Sequence, residues 1–302
     1  MNKRKAMKSA REVINYFAEE IYRKGVGYTP KKRYDRLVCV DDDVFSAFVA
    51  AWYYHQIFKT KGYYPKIDCI GGFGLMSTTI NPKIDGSLIS EAEMLKYTLW
   101  RLGVKEDDIE IICSEGTNTG QNLSAYAEEL YNFSLDKQNI LFCLTKRLVG
   151  RFYLTQIKQQ PQMHADYVWK KQERERELYN GKKFANNLPY LSEAASIYDR
   201  YVRYTTGKQD FMEKLCKPLP EEIEDAGKYL CRKYKLKMPG FSLKKIWQFA
   251  LTYGYYFTHK SKIYSNLEDN IMSWECKLIE DFALANSLKK DYLFGGESLI
   301  ID

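Results

Sequence analysis

Four short apolar runs, each closed by a polar or glycine-rich turn and followed by a helical pattern, set the strongest limit on how this chain can fold. The runs are residues 37–40, 66–70, 109–112 and 140–144. They are mostly apolar rather than strictly alternating, as in strands of a parallel sheet covered on both faces. Helical spacing follows them in residues 44–58, 91–102, 123–131 and a stretch containing Arg151. A fifth, short strand is expected at residues 167–169. Repeated strand–helix units predict an α/β fold, a Rossmann-like parallel sheet flanked by helices. Ahead of the first strand, residues 9–24 carry Val13, Ile14, Phe17 and Ile21 on one face. That spacing predicts an amphipathic helix with Ser9 as N-cap, packed most simply on the sheet.

The pattern changes after residue 170. A charge run covers residues 170–177, and helical patterns follow at 188–205, 220–234, 242–257 and 267–290. Pro220 suits a first helical position, and Pro239-Gly240 separates two helices. The expected organisation is a Rossmann-like domain over residues 1–170 and an α-helical C-terminal subdomain over 171–302 packed on it. Trp247, Phe249, Tyr253, Tyr256 and Phe257 read as core of that subdomain.

Composition narrows the function classes. The chain has 302 residues, 45% hydrophobic and 28% charged, which are values of a folded globular protein. A formal net charge of +7 allows anionic ligands without calling for nucleic acid. Seven cysteines include no CxxC pair, and Cys39, Cys69, Cys113 and Cys143 lie in or at the ends of the strand-like runs. Cysteine so placed behaves as a small buried hydrophobe, so neither a zinc site nor a disulfide framework is expected. That usage fits a reducing compartment. The basic residues 1–8 lack a following apolar segment, and no run approaches ~18 apolar residues. Neither a signal peptide nor a membrane span is expected, and the location inferred is cytoplasmic.

The candidate ligand residues all lie in the turns after the strands, where open α/β sheets bind ligands. Asp41, Asp42 and Asp43 close the first run; they suit a cation, a ribose hydroxyl or an amino group, with helix capping as the alternative. Gly71, Gly72 and Gly74 close the second and permit close backbone approach. Their spacing is not the GxGxxG dinucleotide fingerprint. Ser90 with Glu93 fits a capping box, and Glu91 occupies the same first turn. The third turn, residues 113–122, holds Gly116, Thr117, Asn118, Thr119 and Asn122 before a helix. Backbone N–H groups there suit an anion, with Thr117 or Thr119 as helix cap in the competing account. Thr145, Lys146, Arg147 and Arg151 follow the fourth run and suit a phosphate or carboxylate.

The order of these turns resembles the YdcF-like family, the domain of unknown function 218 that includes the SanA and ElyC envelope proteins of bacteria. The resemblance rests on DRLVCV (35–40), CIGGFG (69–74), SEAEML (90–95), RLGVKEDDIEIICSEGTNTGQN (101–122) and the stretch 145–151. It covers about residues 35–160. It implies a Rossmann-like sheet with a ligand cleft at those turns, binding S-adenosylmethionine or another nucleotide-like anion. Matching positions carry over to Glu91, Thr117, Asn118, Asn122 and Arg151. The chain departs from the pattern at Asp41 and Asp42, at Cys113 in place of an acidic residue, and at Leu148 in place of a histidine. With only His55, His164 and His259 present, and none in a matching turn, no catalytic mechanism carries over.

Three functions are consistent with these residues. One is a binding or transferase protein for a nucleotide-like ligand such as S-adenosylmethionine. The second is a metal-assisted hydrolase or transferase of a phosphate ester or envelope lipid precursor, with Asp41, Asp42 and Glu91 beside a divalent cation. The third is a non-catalytic protein that binds a partner through its Tyr-rich helical tail. The sequence does not specify an oligomeric state.

Overall fold

The computed structural model describes residues 3–40, 44–72, 90–116, 118–135, 137–169, 188–205 and 218–234. All five expected strands form: β1 (Arg36–Val40), β2 (Lys66–Ile70), β3 (Ile109–Cys113), β4 (Ile140–Leu144) and β5 (Ala165–Trp169). They make one five-stranded sheet in the order β3-β2-β1-β4-β5. β1 pairs in parallel with both β2 and β4, and β2 with β3. This is a Rossmann-like α/β fold with flanking helices. Its strand order reverses between β1 and β4, which is where folds of this class open a ligand crevice.

Seven helices lie among the described residues: α1 (Lys3–Arg23), α2 (Val44–Lys61), α3 (Glu91–Arg101), α4 (Thr119–Asn132), α5 (Lys146–Gln159), α6 (Leu188–Thr205) and α7 (Glu221–Tyr234). None is long and apolar enough to cross a membrane. The helices expected at 242–257 and 267–290 lie outside the described residues. α1 starts earlier than its sequence pattern indicated, so Ser9 is a buried residue inside the helix rather than its cap.

The chain divides into two compact units, Met1–Lys32 with Leu144–Met238, and Arg33–Cys143 with Pro239–Asp302. In the first, the extensive contacts of α1 are with α5, α6 and α7. Small residues set those crossings. A Cβ at Gly150 of α5 would come 2.9 Å from the Cβ of Phe17 and 3.2 Å from Cγ2 of Ile197, and one at Gly227 of α7 would overlap the Tyr198 ring. After α1 the chain runs beside β5, with Tyr28 N donating to Tyr167 O and Tyr167 N to Val26 O.

In the second unit, α2 and α3 pack on each other and both touch β1. Strand side chains alternate between faces. One face carries Cys39 with register partners Cys69 and Cys143, all fully buried, as the sequence pattern indicated. The Sγ atoms of Cys39 and Cys69 are 3.5 Å apart as free thiols. Burial raises the Cys69 and Cys143 thiols well above their ordinary range, so they act as core and not as nucleophiles.

The other face carries a buried charge network. The Asp68 carboxylate accepts from Arg36 Nε and Nη2, each at 2.6 Å, from Tyr126 Oη at 2.7 Å and from Ile111 N at 3.2 Å. Arg36 also donates to Glu110 at 2.6 Å and Gln138 at 3.1 Å. Burial pulls the Arg36 guanidinium down, but its bonds to Asp68 outweigh that and leave it above its ordinary value. Burial pushes the Asp68 carboxyl up against the pull of Arg36, Tyr126 and Ile111 N. Four donors meet its two oxygens, so the carboxylate is the form that fits.

Candidate functional site

Two strand-end turns of the second unit are locked together at the carboxyl ends of β2 and β3. Gly71 N donates to Cys113 O at 2.9 Å, tying the end of β2 to the end of β3. Glu91 N donates to Gly72 O at 3.1 Å and Ala92 N to Gly71 O at 2.8 Å, seating α3 on the same turn. A Cβ at Gly72 would overlap the carbonyl oxygen of Gly116, and one at Gly116 would overlap Oδ1 of Asn122. At Gly71 it would come 2.6 Å from the Cβ of Glu91. These glycines therefore admit the protein's own neighbouring turn. Gly116→Ala should cost about 1–3 kcal/mol, because its Cβ meets both backbone and amide atoms of Asn122. Chemical denaturation measures this, and an unchanged midpoint would refute the close packing.

Glu91 and Asn122 are brought to this edge and are 4% and 2% exposed. Among the described residues, Asn122 Oδ1 makes no hydrogen bond. Asn118 is the N-cap of α4, where Thr117 or Thr119 was expected. Its Oδ1 accepts from Gly120 N at 3.0 Å and Gln121 N at 3.2 Å. Those two N–H groups are thus used by the chain itself, which reduces the anion-binding capacity of this helix start. Thr119 is buried in the first turn. Asp41, Asp42, Gly74 and Thr117 lie outside the described residues.

The same edge holds a chain of hydroxyls that sequence reasoning missed. Ser90 caps α3 in the expected capping box: Glu93 N donates to Ser90 Oγ, and Ser90 N donates to Glu93 Oε2, both at 3.1 Å. In addition, Ser90 Oγ donates to Glu93 Oε2 at 3.0 Å and lies 2.8 Å from Oγ of Ser114, the residue directly after β3. The capping spacing was visible in sequence; the pairing with Ser114, 24 residues away, depends on β2 and β3 being neighbours. Burial pushes the adjacent Cys113 thiol up to about 11, so it carries little thiolate near neutral pH.

Thr145, Arg147 and Arg151 belong to the first unit. β4 runs directly into α5, whose N-cap Thr145 makes no side-chain cap hydrogen bond. Lys146 and Arg147 occupy the first turn with no acidic residue, and Arg147 is largely buried. Arg151, one turn on, donates to Glu193 of α6 at 3.0 Å. Burial lowers its guanidinium against the attraction of Glu193, and the nearby Arg200 adds to the lowering. Arg151 therefore has a protein carboxylate as its described partner.

Among the described residues, no group of three or more His, Cys, Asp or Glu side chains could hold a metal ion. No family model, curated protein or solved structure matches the chain.

Proposed function

We propose that this protein binds a nucleotide-like anionic ligand whose carboxylate or phosphate sits at the start of α5. The observation that carries this reading is the character of that helix start. It follows β4, the strand at which the sheet order reverses, and its first turn holds Lys146 and Arg147 without a side-chain cap. The N–H groups and dipole of a helix start attract an anion, and Lys146 and Arg147 place two cationic side chains beside them. Largely buried Arg147 is suited to a charge-assisted, bidentate contact.

S-adenosylmethionine is the first compound to test, since its carboxylate suits this helix start. Asp41 and Asp42, assigned from sequence to its ammonium or ribose groups, lie outside the described residues. The test is a thermal-shift panel of S-adenosylmethionine, S-adenosylhomocysteine, ATP and GTP without added metal. At least one compound should raise the melting temperature. Arg147→Ala should weaken that compound's binding by about 1.5–3 kcal/mol, at least tenfold in affinity. No response to any of the four, or an unchanged affinity in Arg147→Ala, would remove this reading.

A further inference from the structure

We propose that Ser114 is a nucleophilic hydroxyl for acyl transfer, with Ser90 and Glu93 relaying its proton. The direction of the relay follows from counting hydrogens. Ser90 has one hydroxyl proton and two acceptor positions. Its Oγ lies 3.0 Å from Glu93 Oε2, a carboxylate oxygen that accepts only, so the Ser90 proton points there. Ser90 Oγ also accepts from Glu93 N. The 2.8 Å contact with Ser114 must then be a bond donated by Ser114. The Ser114 proton faces a path to a buried carboxylate, and its lone pairs face away from that path. Ser90 is fully buried and Ser114 partly exposed, so the path opens to solvent only at Ser114.

The local backbone suits the role. Ser114 stands at the end of a parallel strand, with a glycine two residues on and a helix after it. The turn between them, residues 114–118, places Ser114 at the carboxyl edge of the sheet. Gly116 is held tightly against Asn122, which fixes the turn. The chemical class follows from charge. Glu91 and Glu93 on α3 and Glu115 beside Ser114 put carboxylates at this edge, which disfavours a phosphate ester. A neutral electrophile, the carbonyl carbon of a carboxylic ester or thioester, meets no such repulsion.

In the reaction, Ser114 Oγ bonds to the acyl carbon while its proton passes to Ser90 Oγ and the Ser90 proton passes to Glu93. The bond from carbon to the leaving alkoxide or thiolate breaks, and that group takes a proton from water. Water-derived hydroxide then attacks the same carbon and the Ser114–acyl bond breaks. Ser114 recovers its proton through Ser90 from Glu93. Ester and water become acid and alcohol. This proposal does not rest on the anion site at α5.

The test treats the full chain with a fluorophosphonate probe and maps the adduct by mass spectrometry. One adduct is expected, on Ser114, absent in Ser114→Ala and unaffected by Ser124→Ala on the outer face of α4. Glu93→Gln retains a hydrogen-bonding side chain but not the proton acceptor, and should slow labelling about 100-fold. Ser90→Thr, which keeps the hydroxyl, should preserve it. Far-UV circular dichroism on each variant separates loss of reactivity from loss of fold. No adduct on Ser114 in the folded wild-type chain, or equal labelling rates in folded wild type and Glu93→Gln, overturns the proposal. The wild-type mapping decides the matter even where a variant does not fold.

Discussion

Asp68→Ala should remove about 3–5 kcal/mol of stability, a large part of the roughly 5–15 kcal/mol typical of a folded domain. Arg36 is 1% exposed and Asp68 fully buried, so deleting the carboxylate leaves a guanidinium inside the sheet without its principal partner. Glu110 remains within 2.6 Å of Arg36, but its side chain is 44% exposed and screened by solvent. Tyr126 Oη and Ile111 N lose their acceptor in the same step. The double variant Arg36→Met/Asp68→Leu should recover much of the loss, because two apolar side chains leave no buried charge behind. Urea unfolding of wild type, Asp68→Ala and the double variant measures this. A loss below about 1 kcal/mol in Asp68→Ala would show that the network contributes little.

Acidification should destabilise the protein through His55, by about 3 kcal/mol between pH ~6.5 and ~4. His55 is buried on α2, and burial lowers its pKa to about 4, partly opposed by its hydrogen bond to Leu102. Its Nε2 lies 3.1 Å from Leu102 O; a carbonyl only accepts, so Nε2 carries the proton in the neutral ring. Between the two pKa values the unfolded chain binds a proton that the folded chain does not. Stability is therefore full above about 6.5 and falls as pH drops toward 4, where the folded ring also protonates. His55→Gln keeps an N–H donor for Leu102 but cannot titrate. Its unfolding free energy should lack this component, so wild type minus variant isolates the His55 slope from that of the carboxylates. Parallel pH profiles for the two proteins would refute the assignment.

The sheet was legible because its strands are short, mostly apolar runs separated by helical periodicity, a pattern that admits few folds besides α/β. Asp68 and Glu110 were the charged residues in the interior of such runs, and both belong to the Arg36 network; Arg36 became apparent as their partner only once β1, β2 and β3 were neighbours. The capping box at Ser90 is a local signal and was read correctly. The cap of α4 fell on Asn118 and not on Thr117 or Thr119, because all three residues can cap and the choice depends on where the helix begins. Gly71 and Gly72 were legible as points of close approach, but not what approaches them, since Glu91 and Gly116 arrive from other segments. Ser114 carried no sequence signal beyond following a strand.

The packing of α1 on α5, α6 and α7 has a consequence for biosynthesis. Of the described helices α1 is made first, and the last of its partners, α7, is complete only when residues up to Tyr234 have followed. At roughly 5–20 residues per second that interval is on the order of 10–40 s. Until α7 is made, the apolar stripe of Val13, Ile14, Phe17 and Ile21, buried in the finished protein, has only part of its native cover. α1 therefore stays incompletely covered, open to chaperones or to other nascent chains, while α5, α6 and α7 are being made.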